Sequence, residues 1–201
     1  MTSMSWLFNH CTMIELSENI ISRGVSFSCG NLDLDEFFLR DAPLYRKQLL
    51  GKTYCFYLDE NPQEIVCAFT LANDSIRVDM LPNSRAKKVE KKIPHAKSLR
   101  RYPALLIGRL GVNKKYQDKG IGSDLLLFIS SWFIKDDNKS GCRFLIVDAY
   151  NNPKTLNFYE RNGFLYLFSS ETQEAENSGL PYDTKLNTRI MFYDLLDSVN
   201  Q

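Results

Sequence analysis

Gln117-Asp118-Lys119-Gly120-Ile121-Gly122 lies between a run with strand character and a run with helix character. Ahead of it, Pro103-Ala104-Leu105-Leu106-Ile107-Gly108-Arg109-Leu110-Gly111-Val112 has the length and apolar content of a buried strand. Behind it, Ile121, Leu125, Phe128, Ile129 and Trp132 recur at i, i+4, i+7, i+8 and i+11, one stripe of an α-helix. Glycines at 120 and 122 remove the Cβ atoms that would keep a ligand off the backbone. N–H groups at a helix N-terminus attract anions, so the turn predicts a bound phosphate or pyrophosphate. Neither G-x-x-x-x-G-K-[ST] nor a G-x-G-x-x-G beside a chain-initial strand is present, which argues against a P-loop or a dinucleotide fold.

Outward from this unit, residues 144–149 form a continuous apolar strand, and Asn152-Pro153 opens a helix with asparagine at N-cap and proline at N1. That helix stops near Asn162-Gly163. Residues 164–168 and 189–195 read as strands, joined by an acidic polar loop over 169–186. Upstream, Asp33, Asp35 and Glu36 supply the first-turn carboxylates of a helix running from about Leu32 toward Gln48, with a disturbance at Pro43. Residues 53–58 and 65–71 read as a hairpin around a turn at 60–63, a third strand falls at 76–78, and 81–101 is a polar segment. The order of elements is mixed α/β, of the α+β kind, with hairpins early and a βαβα unit in the middle.

At 201 residues and 44% hydrophobic content, the chain suits a single domain over 1–201, with a binding core over about 103–168. A net charge of +1 says nothing about partners overall, so any charge message is local. Cys11, Cys29, Cys55, Cys67 and Cys142 are odd in number and scattered without a C-x-x-C; with only His10 and His95 beside them, no metal is expected. Buried small hydrophobes in a reducing cytosol are the simplest reading, which makes the expected location cytoplasmic. The first ten residues lack a basic n-region and a sustained apolar stretch, so they do not read as a signal peptide. The most apolar segment, 125–134, is too short to span a bilayer, and no membrane partner is expected.

A second motif, Asn152-Pro153-Lys154-Thr155-Leu156-Asn157-Phe158-Tyr159-Glu160-Arg161-Asn162-Gly163-Phe164, follows the first with a strand between them. With both motifs in this order the chain resembles the GNAT superfamily of acyl-CoA-dependent N-acetyltransferases. Gln117, Gly120 and Gly122 match its Gln/Arg-x-x-Gly-x-Gly/Ala turn, and Asn152, Phe158, Tyr159, Gly163 and Phe164 match its second motif. A narrower resemblance rests on Phe27-Ser28-Cys29-Gly30, Leu32 to Phe38, Phe69-Thr70-Leu71-Ala72-Asn73-Asp74-Ser75, Leu106 to Val112 and Tyr116-Gln117. These look like the branch of toxins from toxin–antitoxin pairs, whose members acetylate the amine of aminoacyl-tRNA.

The resemblance implies a GNAT fold: a mixed central sheet of about six or seven strands flanked by helices, with an acetyl-CoA cleft between splayed parallel strands. It implies that Leu110 and Val112 pair with the pantetheine amides as an added strand would. The pyrophosphate then rests on N–H groups of Gln117, Asp118, Lys119, Gly120, Ile121, Gly122 and Ser123, with Lys119 adding charge. A backbone N–H near Leu110 serves as oxyanion donor and Tyr159 as general acid. Asn152 either binds the coenzyme or merely caps its helix. Without the upstream motif, a tyrosine beside Phe158 on an amphipathic helix reads as packing.

Between Arg85 and Arg101 lie eight basic residues and one acid, Glu90. Such a run commonly forms a solvated face. Here it precedes the strand that leads to the turn, and Arg85, Lys87, Lys88, Lys91, Lys92 and Arg100 become candidates for contact with the phosphates of a nucleic acid. No general base stands out, which fits an α-amine with a reference pKa of about 7.7–8.0 better than lysine at about 10.4. Three readings follow: aminoacyl-tRNA as acceptor, with an antitoxin as protein partner; an amine of a protein or small molecule as acceptor; or, in another class, no acceptor at all in a non-catalytic nucleic-acid-binding module. A homodimer stays open.

Overall fold

A computed structural model describes residues 5–94 and 99–199. The strands are Cys11–Glu15 (β1), Lys52–Leu58 (β2), Asn61–Arg77 (β3), Arg101–Val112 (β4), Phe144–Tyr150 (β5), Leu165–Tyr166 (β6) and Thr188–Asp194 (β7). They form a seven-stranded mixed sheet in the order β1-β2-β3-β4-β5-β7-β6, as a mixed α/β fold of this kind requires. β4 and β5 are parallel; β1–β2, β2–β3, β5–β7 and β6–β7 are antiparallel. By its contacts the chain divides into two compact units, Met1–Ala72 with Ile107–Ile129, and Asn73–Leu106 with Ser130–Gln201.

In the first unit the expected hairpin is present, with its turn shortened. Leu58 pairs with Asn61, so Asp59 and Glu60 make the whole connection and Pro62 sits within β3. After two short helices, Trp6–His10 (α1) and Glu18–Ile21 (α2), the helix expected over 32–48 is broken into three pieces, Leu32–Glu36 (α3), a π-helical turn Phe37–Asp41, and Ala42–Lys47 (α4). Asn31 caps α3, its Oδ1 accepting from Leu34 N at 3.2 Å. Pro43 has no N–H to donate and its ring crowds the preceding turn, so the disturbance falls just ahead of it as a wider turn. Phe37 and Phe38 are both buried there, with Leu16, Phe27, Leu34, Ala42, Cys55, Ile65 and Ala68. Burying a side chain of the size of Phe38 stabilises by about 1.5–3 kcal/mol. A Cβ at Gly111 would come within 3.1 Å of Phe27 and 3.2 Å of Phe38, so a side chain at this strand position would press on both rings.

In the second unit Ala104, Leu105 and Leu106 pair with Phe144, Leu145 and Ile146, and β5 pairs with β7 along its whole length. The core collects Ile76, Val78, Val89, Tyr102, Phe144, Ile146, Leu167, Phe168 and Phe192. The separate strand expected at 76–78 is instead the end of β3 followed by a single 3-10 turn, Val78–Met80. Two helices lie where the sequence suggests only polar loops. Asn83–Glu90 (α5) buries Val89 alone, so its stripe is too thin to show as periodicity. Glu171–Asn177 (α8) is capped by Ser170 Oγ, which accepts from Gln173 N, and is tied down by Glu174, which is 3% exposed. Glu174 pairs with Arg189 Nε at 2.7 Å and accepts from Ile190 N at 2.7 Å, so the anchor is an ion pair rather than an apolar face. The strand expected over 164–168 shrinks to Leu165–Tyr166. Among the described residues no helix is long and apolar enough to cross a membrane.

Candidate active site

The turn that opened the sequence reading is mounted on β3 by a buried asparagine. Asn113 donates its N–H to Val66 O at 2.9 Å and its Nδ2 to Ile65 O at 3.0 Å, while its Oδ1 accepts from Lys115 N at 3.2 Å. A short 3-10 turn, Lys114–Tyr116, follows, and the helix Ile121–Phe133 (α6) begins after Asp118 at φ 59 and Gly120 at φ 82. Two reversals of this kind, with Lys119 between them, turn the chain from strand to helix, and glycine or aspartate tolerates them best. Ser123 and Asp124 both donate their N–H to Gly120 O. The first-turn donors left without an acceptor among the described residues are therefore those of Ile121 and Gly122, and Ser123 N–H is already spent. Ile121, Leu125 and Ile129 are buried as the stripe predicts.

Gln117 has a structural task of its own. Its Nε2 donates to Cys29 O at 2.7 Å and to Val112 O at 2.9 Å, which uses both amide hydrogens. The second of these bonds also occupies the Val112 carbonyl. Leu110 and Val112 are half-buried at the end of β4. The segment before α3 is thereby fastened to the turn. Lys114 N donates to Ser28 O at 2.9 Å, and Gly30, at φ 90, leaves room for Lys114, whose Cε would lie 2.6 Å from a Cβ placed there. Asp35 accepts from Cys29 N at 2.7 Å and Ser28 Oγ at 2.9 Å. Burial works to raise the Asp35 pKa, yet these hydrogen bonds hold it below the usual carboxylate range.

Lys119 donates to Lys115 O at 3.0 Å, and its ammonium lies 5.5 Å from the centre of the Tyr116 ring. Three polar residues support this arrangement: Tyr116, which the sequence reading used only for its resemblance, and Asn113 and Glu64, which it passed over. Glu64, 9% exposed, accepts from Tyr116 OH at 2.9 Å and Lys115 Nζ at 3.0 Å. Those donors hold the Glu64 carboxyl below its ordinary pKa. Glu64 precedes the apolar run of β3 as any strand-flanking acid does, so no local signal marks it.

In the second unit, Asn152 caps the helix Pro153–Arg161 (α7) through Oδ1, which accepts from Thr155 N at 2.9 Å. The capping function is therefore exercised, and Nδ2 is the part of the side chain left to a ligand. Tyr159 is buried, with ring centroids 5.1 Å from Phe158 and 5.2 Å from Phe164. Its carbonyl accepts from Asn162 N and Phe164 N, and Gly163 at φ 83 ends the helix. Among the described residues its phenol has no hydrogen-bond partner, and burial pushes its pKa well above the ordinary tyrosine value. The group is a neutral donor with its proton uncommitted.

The basic segment divides by task. Arg85 donates from Nε to Leu167 O at 2.6 Å and also bonds Tyr166 O, so its guanidinium is committed to the backbone at the end of β6. Lys92 pairs with Asp197. Lys87, Lys88, Lys91 and Arg100 are exposed and form no ion pair among the described residues. His95 and Lys97 lie outside the described residues.

Residues 85–165 match the family described as the acetyltransferase (GNAT) domain. The whole chain is similar to a solved tyrosine-to-phenylalanine variant of KacT, at 21% identity and a TM-score of 0.69, over 95% of this chain and 98% of the other. It is similar to AtaT complexed with acetyl-methionyl-tRNAfMet, at 20% identity and a TM-score of 0.68, over 94% and 97%. AtaTR bound with AcCoA is similar at 19% identity and a TM-score of 0.67, over 96% and 98%. At these identities the likeness bears on the fold. Family match, sheet and motif order agree: residues 85–165 are similar to the acetyltransferase (GNAT) domain, and the chain has the fold of these structures.

Proposed function

We propose that this enzyme acetylates the α-amine of an aminoacyl-tRNA, as a toxin whose natural partner is an antitoxin protein. The observation that carries the reading is the likeness, over 94% of this chain, to AtaT complexed with acetyl-methionyl-tRNAfMet. A related toxin structure holds both the C-terminus of the antitoxin AtaR and acetyl-CoA. Lys87, Lys88, Lys91 and Arg100, exposed and in no ion pair among the described residues, supply cations suited to a phosphate backbone. All five cysteines are free, which supports a reducing, cytoplasmic setting.

In this reading the pyrophosphate of acetyl-CoA accepts from the N–H groups of Ile121 and Gly122, with Lys119 as the nearby cation. The pantetheine amides pair with β4 at Leu110 and Val112, and Asn152 Nδ2 offers a further donor. The neutral α-amine attacks the thioester carbon. Negative charge gathers on the carbonyl oxygen, where Leu110 N–H donates to it. The carbon–sulfur bond then breaks, and the attacking nitrogen loses one proton as the sulfur gains one. A thiol near 8.5 is a stronger acid than a phenol at 10 or above, so Tyr159 acts first as a hydrogen-bond donor to the departing thiolate. Its proton crosses as the former amine releases its own.

Labelled acetyl from acetyl-CoA is expected on charged tRNA, with Tyr159→Phe slowing transfer about a hundredfold or more while acetyl-CoA still binds. Label on a peptide or polyamine amine and on no aminoacyl-tRNA would replace the tRNA acceptor with a simple amine.

A further inference from the structure

Glu64 presents a physical puzzle within the first unit. An anion close to a phosphate-binding turn weakens that turn's attraction for phosphate. Yet Glu64 is nearly buried beneath it, with Tyr116 OH at 2.9 Å and Lys115 Nζ at 3.0 Å on the same carboxylate oxygen. The contacts around it answer the puzzle. Tyr116 is held at its hydroxyl by Glu64, and its ring stacks on Trp6 at 5.4 Å. That same ring lies under the ammonium of Lys119, whose Nζ also donates to the carbonyl of Lys115, the other residue Glu64 holds. Glu64 thus restrains both supports of Lys119. It also spends the charge of Lys115, whereas Lys119, like Lys114, is paired with no carboxylate among the described residues.

We infer that Glu64 is a positioning residue for the coenzyme: through Tyr116 and Lys115 it holds the turn and the Lys119 ammonium in place for the pyrophosphate. The inference rests on the reading of this turn as the pyrophosphate site. A side chain with four rotatable bonds gains affinity when its bound rotamer is already set, because the ordering cost is met before the ligand arrives. Two effects of removing Glu64 have opposite signs. Loss of bracing weakens anion binding; loss of a nearby negative charge strengthens it. Tyr116→Phe removes the brace and leaves the charge untouched.

The test is calorimetric titration of the full chain and of Tyr116→Phe and Glu64→Ala with two thioesters, acetyl-CoA and S-acetylpantetheine, the second lacking the pyrophosphate. Acetyl-CoA is expected to bind about fivefold more weakly to Tyr116→Phe and about tenfold more weakly to Glu64→Ala. S-acetylpantetheine should bind all three proteins alike, a selectivity that general loosening of the fold would not produce. Tyr116→Phe, the conservative change, decides the matter if Glu64→Ala does not fold. Equal losses on both thioesters, or unchanged acetyl-CoA affinity in Tyr116→Phe, overturn the positioning role. So does tighter acetyl-CoA binding by Glu64→Ala. An unsubstituted protein that binds the two thioesters equally removes the pyrophosphate reading itself, and the role of Glu64 with it.

Discussion

Arg85 donates from Nε to the carbonyl of Leu167 across 2.6 Å, and a second bond from the same guanidinium takes the carbonyl of Tyr166. β6 is the last strand of the sheet, where backbone carbonyls lack a further strand to pair with. The arginine fork takes Tyr166 O on that strand and Leu167 O just past its end, so a residue counted among the cations of a basic run is spent on the end of a sheet strand instead.

This division of labour is measurable. Arg85→Ala should lower stability by about 1.5–3 kcal/mol in urea denaturation, the range for hydrogen bonds to a charged group. Its effect on the salt dependence of tRNA binding should be small. Changing Lys87, Lys88 and Lys91 together to glutamine should do the reverse, flattening the slope of log affinity against log salt by roughly two units. An unchanged slope in the triple variant would assign these lysines to solvent.

Two glycines of the first unit should fail for different reasons. A Cβ at Gly120 would meet nothing within 4 Å, but the residue sits at φ 82. Gly120→Ala should therefore cost about 1–2 kcal/mol through the backbone and reshape the turn, weakening acetyl-CoA binding. Gly111→Ala should cost about 1–3 kcal/mol by crowding Phe27 and Phe38. Denaturation midpoints and acetyl-CoA titration on the two variants separate strain from crowding.

Glu174 and Arg189 are 3% and 9% exposed. Glu174→Ala strands a buried guanidinium and frees Ile190 N, so a loss of about 3–5 kcal/mol is expected. Adding Arg189→Met should return part of that loss. A double variant no more stable than Glu174→Ala alone would show that the pair does more than cancel its own desolvation.

The pH dependence has two limbs. Lys115 and Tyr116 hold the Glu64 carboxyl below its ordinary value, and Leu186 N and Asn151 do the same for Glu171. Carboxyls depressed in the fold stabilise it above the ordinary carboxylate range, and that stability is lost as pH falls through and below about 4. Urea midpoints should drop steeply there and less so in Glu64→Gln. At the alkaline end, burial raises the pKa of Tyr159, so it keeps its proton. The transfer rate should rise once with deprotonation of the acceptor amine and not decline below about pH 10. A descending limb centred near 9 would remove the phenol from the reaction.

Much of the fold was legible because it is written locally. Ile121, Leu125 and Ile129 repeat with the helical period and are all buried in α6. Asn152 and Pro153 announce α7, and Asn152 makes the expected cap at 2.9 Å. What escaped notice carries little local pattern. α5 buries only Val89, and α8 is anchored by an ion pair between positions 174 and 189, so neither shows an apolar stripe. Pro43 signalled a disturbance, but only packing around Phe37 and Phe38 shows that it takes the form of a π-helical turn.

The sequence by itself determined the strand, turn and helix around Gln117 to Gly122, the helix bearing Tyr159, and through their order the resemblance to the acetyltransferase family. These are properties of short spans, set by residue period, caps and glycine. Tertiary structure alone decided how individual polar groups are spent. Gln117 reaches 88 positions to Cys29, Arg85 reaches 82 to Leu167, and Tyr116 reaches 52 to Glu64. Each is a single hydrogen-bonded pairing that any polar residue could in principle make, and only the folded chain brings the particular partners within 3 Å.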